Sequence, residues 1–264
     1  MRDQLSITTW LATGAVAQSL AFLLVGRIAL FPAVSYILYT LANTSAAAYG
    51  LKRNPLMDGV IPGKFSSAFP NSQGTYGSKS ADTDLVVFHI GFRNNHPLGI
   101  FAPGVKQIGE YFQQMIVDLE AHDEEFGLMG ATNWLNASAR TTQNETLVVA
   151  YFKTVEGVHN FAHSEYHMKA WRWWNENVKQ WDHMSIYHEL YHVPKGNWET
   201  IHGNSHVSGM PSCRVKTDDG LWVSPLVDAN RGLLKTSAGR MARSQGEDHE
   251  KLDLGEDPQY NVST

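Results

Sequence analysis

Between His183 and Pro194 the chain reads HMSIYHELYHVP, with three histidines, one glutamate and two tyrosines in a stretch rich in strand-forming residues. Side chains on a strand alternate between its faces. Met184, Ile186, His188, Leu190 and His192 therefore share one side, and Ser185, Tyr187, Glu189, Tyr191 and Val193 the other. An imidazole in an apolar row can move protons near neutral pH, and a carboxylate between tyrosines can orient a polar group. A half-buried strand carrying surface histidines has the same spacing. Just upstream, His167, Trp171 and Trp174 are spaced i, i+4 and i+7, so a helix would hold them on one face. The positive end of a helix dipole disfavours protonation of His167 near the helix start. Neutral there, it could act as a general base, or as donor and acceptor at once. A histidine that merely bridges a helix end fits equally.

Other chemistries find less support. His159, His163 and His167 recur every four residues, but no glutamate completes an H-E-x-x-H arrangement. His188 and His192 share a strand face yet stand four residues apart at about 3.3 Å each, too far to chelate one ion. No metal site is expected, while a haem ligated by His167 stays open. There is no G-x-S-x-G elbow, no dinucleotide or phosphate-binding glycine loop, and a single cysteine, Cys213. No nicotinamide, flavin or nucleotide cofactor is expected, so an oxidation here would draw on the substrate's own electrons or on a haem. The net charge of -5 gives no broad basic surface and argues against a nucleic-acid partner.

The elements that would position these residues follow from periodicity. Leu85–Arg93 (LVVFHIGFR) is a buried strand; Gly104–His122 carries Ile108, Tyr111, Phe112, Met115, Ile116 and Leu119 at helical spacing. Gly127–Asn136 and Thr146–Lys153 read as strands joined by the polar stretch 137–145. Thr154–Ala162 and His167–Gln180 read as helices before the histidine-rich strand. The order β-α-β-β-α-β is the ferredoxin-like pattern, an α+β fold. Helices on one face of such a sheet leave the other uncovered. A homodimer pairing two sheets, a dimeric α/β barrel, would cover it, with the segment from Trp198 to His206 folding along the neighbouring sheet.

Outside that domain, residues 4–26 and 28–51 carry no charge, each long enough to cross about 30 Å of hydrocarbon as a helix. Residues 1–53 are expected to form a membrane-associated helical hairpin turning near Arg27 and Phe31-Pro32. Arg2 and Lys52-Arg53 at its outer ends would face the cytosol, as would the globular part. Residues 54–82 read as a Gly/Pro/Ser-rich linker, 83–227 as the ferredoxin-like domain, and 228–264 as a disordered polar tail.

DLVVFHIGFRNN (84–95), HMKAWRWWNE (167–176) and IYHELYHVPKGNWETIHGN (186–204), with the element order between them, resemble a family of fungal and bacterial ABM-type monooxygenase-like proteins. The resemblance covers roughly residues 85–210. It implies a dimeric α/β barrel acting on a small molecule of secondary metabolism, and in fungal members placement at the endoplasmic reticulum beside membrane-bound oxygenases. Arg93, His167, Trp171, His188, Glu189, Tyr191 and Asn204 fall on the family's recurring motif positions.

The resulting expectation is a monooxygenase hydroxylating an apolar terpenoid or polyketide with molecular oxygen. His188 and His167 converge on one dry cavity as the acid–base pair, Arg93 or Asn204 steadies the developing anion, and Trp171 and Trp174 exclude water. Tyr191 and Glu189 are the further candidate substrate contacts. Two alternatives remain: a haem-dependent dehydratase or oxygenase, and a non-catalytic, membrane-tethered carrier of a lipophilic intermediate.

Overall fold

A computed structural model describes residues 6–77, 80–137 and 145–244. The polar tail beyond 244, Arg2 and most of the 137–145 connection lie outside them. The chain divides into two units, residues 1–60 and 61–264.

The first unit holds two helices, α1 (Ile7–Val25) and α2 (Leu30–Ala48). Ser6 caps α1 by accepting the Thr9 N–H at 3.0 Å. The helix ends at Gly26, whose φ of 65° lies in the left-handed region that glycine tolerates. Gln18 Nε2 donates to the Ala29 carbonyl at 2.9 Å. A straight helix would hold positions that far apart in sequence about 16 Å away along its axis, so the chain turns back at Gly26–Ala29. Phe31-Pro32 does not make the turn. It sits in the first turn of α2, where a missing N–H costs nothing. The segment Ile7–Ala48 is long and apolar enough to cross a membrane.

The second unit is built on β1 (Ile61–Ser67), β2 (Leu85–Asn94), α3 (Val105–Ala121), α4 (Asp123–Phe126), β3 (Leu128–Leu135), β4 (Thr146–Phe152), α5 (Val155–His163), α6 (Glu165–Asn177), β5 (Met184–Val193), β6 (His202–Ser205), β7 (Val215–Lys216), β8 (Trp222–Val223), β9 (Leu226–Asp228) and α7 (Ser237–Arg240). Strands β3-β4-β2-β5 form an antiparallel sheet in that order. The first and third strands of the βαββαβ unit are central and the second and fourth are edges, which is the ferredoxin-like topology. Val86, Leu128, Ala150 and Phe152 on one face pack with Leu119 of α3, Phe126 of α4 and Val158 of α5. Phe152 is 2% exposed, and its replacement by Ala would cost about 3–5 kcal/mol.

Two expectations about the flanks need correction. Residues 61–67 are a strand, not linker: β1 lies between β6 and β9 in a second sheet. Its local pattern is weak because its register is set by distant carboxamides, with Asn230 bonding both the N–H and the carbonyl of Lys64 at 2.9 and 3.0 Å. The polar stretch 228–244, expected as disordered tail, is structured. Leu233 and Leu234 are buried, and the nearly buried Arg240 donates to Glu199 at 2.7 Å and to the Leu234 carbonyl at 2.8 Å.

Trp198 also departs from expectation. It packs within its own protomer against Leu85 and Cys213, and its indole donates to the Thr83 carbonyl at 2.8 Å. With Met210 and Cys213 it covers the β2-start end of the face opposite the helices, against Val87, Met129 and Tyr151.

Candidate active site

Register decides what the edge strand β5 presents. Ile90 lies opposite His188 and Phe88 opposite Leu190, while His89 faces Glu189 and Val87 faces Tyr191. Phe88 packs on the helix-side core, so Ile186, His188 and Leu190 belong to the helix side and Tyr187, Glu189 and Tyr191 to the back. The alternation read from sequence is the one observed.

On the helix side the edge strand is not roofed by the core. Ile186 is 40% and Leu190 38% exposed. Across from them α6 turns its Tyr166–Ala170–Trp173 stripe inward. Tyr166 joins the core, Ala170 is buried, and Trp173 packs on Tyr111 of α3 and on Trp181 at ring separations of 5.1 and 5.0 Å. The flank carrying His167, Trp171 and Trp174 is left beside the core; Trp171 is 48% exposed and Trp174 half-buried. Trp171 on this flank and Ile186 and Leu190 on β5 leave exposed apolar surface on both elements, the walls that a groove between them would have.

The two imidazoles stand on these two elements. His188 is exposed and stacks obliquely on Phe88 at 5.6 Å. His167 is half-buried, edge-on to Phe161 at 5.8 Å, with Nδ1 2.9 Å from the Ala162 carbonyl. Burial pushes the His167 imidazole below the usual histidine range. The Ala162 carbonyl acts against this, and His163 and His188 add to the depression. His188 is thus near enough to act on His167 through space. The expected dry chamber is not what this chain holds: His188 is exposed.

The remaining predicted residues separate from the pair. Arg93 is an odd-numbered residue of β2, opposite Ser185 and so on the back side of the sheet. Glu189 and Tyr191 lie on the back as well, bonded to each other through Tyr191 Oη and Glu189 Oε2, with His89 Nδ1 3.8 Å from that carboxylate. They cannot line the groove that Trp171 borders in the same protomer. Asn204 lies in the second sheet with φ of 47°, and its Oδ1 accepts the Gly63 N–H at 2.8 Å. That bond closes the irregularity where β1 shifts register against β6, so Oδ1 serves the strand pair.

Sequence reasoning missed Phe88 and Ile90, which lie opposite Leu190 and His188, and the Ala162 carbonyl that holds His167. The alternation of 85–93 holds the signal for the first two, but only the pairing register with β5 makes it readable. The carbonyl has no side-chain signature.

A family described as Monooxygenase af470-like matches residues 85–210. Monooxygenase af470 of Aspergillus fumigatus is 33% identical over 247 residues, which covers 91% of this chain and 89% of the relative. The chain belongs to the Monooxygenase af470-like family. Among solved structures, SnoaB, a cofactor-independent oxygenase from Streptomyces nogalater, matches 41% of this chain and 92% of its own at 12% identity and a TM-score of 0.29. An aldoxime dehydratase in complex with butyraldoxime matches 56% of this chain and 39% of its own at 9% identity and a TM-score of 0.41.

Proposed function

We propose that the protein is a monooxygenase acting on an apolar, enolisable small molecule, of terpenoid or polyketide type, laid in the groove between α6 and β5. The observation that carries this reading is the His167–His188 pair, brought within electrostatic reach by α6 and β5, with Trp171, Ile186 and Leu190 exposed on the same two elements. Exposed apolar surface beside proton-handling groups fits a ligand that supplies the missing cover, and family membership supports the reaction class. The ligand itself would dry the groove.

The chemistry balances without a bound redox group. An imidazole removes a proton from an activated carbon, and the carbanion gives its electrons to O2 to form a carbon–peroxide bond. Loss of the second proton from that carbon, with cleavage of the O–O bond, leaves a ketone and releases water. Hydroxylation of an unactivated carbon would instead take two further electrons from an outside reductant. Purified protein incubated with anthrone, whose methylene is acidified by two rings and a carbonyl, is expected to consume one O2 per anthraquinone formed. Turnover that appears only on adding haem or flavin would overturn this version. Unchanged product formation in His167→Ala/His188→Ala would leave the groove as a carrier site.

One observation favours the haem reading. An iron-ligating imidazole typically donates its other N–H to a carbonyl, as the Nδ1 of His167 is placed to do. A Soret band in the purified protein, lost in His167→Ala, would select it.

We further place the protein on a membrane through α1 and α2, supported by their length and composition and by the basic Lys52-Arg53 after them. The endoplasmic reticulum is the expected membrane, with the globular unit cytosolic; protease protection of microsomes tests both. A homodimer through the uncovered part of the sheet's back, where Trp134, Tyr187 and Tyr191 are exposed, is the expected assembly. Sedimentation of the full chain in detergent tests it.

A further inference from the structure

The break between α5 and α6 assigns roles to the two imidazoles. α5 ends at His163, and Ser164 takes an extended conformation, φ -73° and ψ 159°, before α6 begins. In an unbroken helix the Ala162 carbonyl would accept the N–H of Tyr166. At the break the Ser164 N–H and Oγ both go to the Phe161 carbonyl, at 3.0 and 2.7 Å. The Ala162 carbonyl is taken by His167 Nδ1 at 2.9 Å.

A carbonyl oxygen only accepts, so Nδ1 must carry the hydrogen. The neutral ring then has its lone pair on Nε2, and among the described residues no hydrogen-bond partner occupies that atom. His188, by contrast, has a ring contact with Phe88 and no hydrogen bond among the described residues that would select a tautomer. One imidazole of the groove is therefore preset as a proton acceptor and the other is free to turn.

We propose that His167 is the general base of the groove, acting through Nε2, and that the Ala162 carbonyl at the helix break is the positioning group that fixes its tautomer and orientation and steadies the imidazolium it becomes. This deepens the oxygenase reading above and rests on it. The arrangement repeats the logic in which a fixed acceptor on Nδ1 leaves Nε2 as the base, with a peptide carbonyl in place of a carboxylate. The titratable groups that bear on the ring come from α5, through His163, and from β5, through His188; both disfavour a proton. The proton taken from the substrate carbon stays on Nε2 until His188, free to turn, relays it to the departing peroxide oxygen.

The test has two arms. The first is nitrogen NMR of the full chain with labelled histidine, which reads the tautomer without any substrate. Nε2 of His167 is expected at the position of an unprotonated ring nitrogen and Nδ1 at that of a protonated one; the reverse, or rapid averaging of the two, overturns the assignment. The second is anthrone oxidation as a function of pH. His167→Asn keeps a donor near the Nδ1 position for the Ala162 carbonyl but has no base. It is expected to fold normally, to lose about 10²-fold or more in kcat, and to lose the acidic limb of the profile. Added imidazole should restore part of the rate in His167→Gly. A His167→Asn enzyme that retains the acidic limb overturns the role of the base. The predicted tautomer in a protein that oxidises no enolisable substrate would instead sink the oxygenase reading and leave the structural assignment standing.

Discussion

Over residues 186–191 the two faces of β5 hold the same kinds of residue in opposite conditions, while His192 at the strand's end is paired with Asp84 at 3.0 Å. On the back, polar groups are bound to one another: Tyr191 to Glu189, His89 beside the same carboxylate, and Tyr187 Oη to Glu145 at 2.9 Å, its ring lying across Gly91. On the helix side His188 has a ring contact with Phe88 and, among the described residues, no hydrogen bond, and its neighbours Ile186 and Leu190 are exposed. Polar groups that satisfy each other build a surface, whereas an unengaged imidazole among exposed apolar side chains is available to a ligand. A histidine-rich strand in the sequence is thus one strand with a structural side and a chemical side.

Adjacent residues of β5 give the sharpest way to break this contrast. His188→Gln should lower kcat/KM for anthrone by about 10²-fold or more, the range for loss of an acid–base group. Glu189→Gln should change it by no more than about twofold. Steady-state kinetics on both proteins decide the matter, and equal losses would dissolve the distinction between the faces.

Next in size is the groove wall. Trp171 stands 48% exposed, so Trp171→Ala should leave the denaturation midpoint nearly unchanged, within about 0.5 kcal/mol. Its removal takes away apolar contact with the ligand alone, and KM should rise about tenfold, equivalent to about 1.4 kcal/mol, with kcat little altered. A large loss of stability with unchanged KM would make Trp171 a packing residue.

The same division between local and distant information runs through the fold. The elements of the βαββαβ unit were legible because each carries its own period: Leu85–Asn94 and Met184–Val193 alternate, and Val105–Ala121 repeats at helical spacing. The His188 and Glu189 sides followed from alternation alone. What the sequence hid is held by contacts between distant residues. Gly63 pairs with Asn204, Lys64 with Asn230 and Glu199 with Arg240, and no window of neighbouring residues contains both partners. Asn204 looked chemical because a carboxamide in a motif block reads the same whether it faces an oxyanion or a strand's N–H. The exposure of the α6 flank was hidden for a related reason: spacing puts Trp171 and Trp174 on one helix face, and only packing tells that Trp173 goes inward while Trp171 stays out.

A smaller effect concerns pH. The folded-state pKa of His167 is depressed, chiefly by burial, and that of His202, stacked on Phe65 at 4.8 Å, is depressed by burial too. The unfolded chain therefore binds these protons first as pH falls. Stability is full above the ordinary histidine range and declines as pH drops through it toward the folded values. Activity that needs neutral His167 should rise with pH to a plateau, with its midpoint below the ordinary histidine value. His163 adds to the depression from α5, so His163→Gln should move that midpoint upward and leave the plateau rate intact. A midpoint unmoved by His163→Gln but lost in His167→Asn would keep the base and discard the through-space contribution.

The smallest effect lies on the back face and leaves activity untouched. The Tyr191 hydroxyl donates to Glu189, and that bond, more than desolvation or charge, raises the phenol above the ordinary tyrosine value. In Glu189→Gln the acceptor is no longer an anion, so an ultraviolet titration should show one tyrosine returning toward the ordinary range. Tyr187 should keep most of its own elevation, because burial is its first cause and its partner is Glu145. If Glu189→Gln left every phenol where it was, Glu189 would not be held by Tyr191 in solution. Its carboxylate would then be as available to a ligand as His188, and the two sides of the strand would no longer differ in kind.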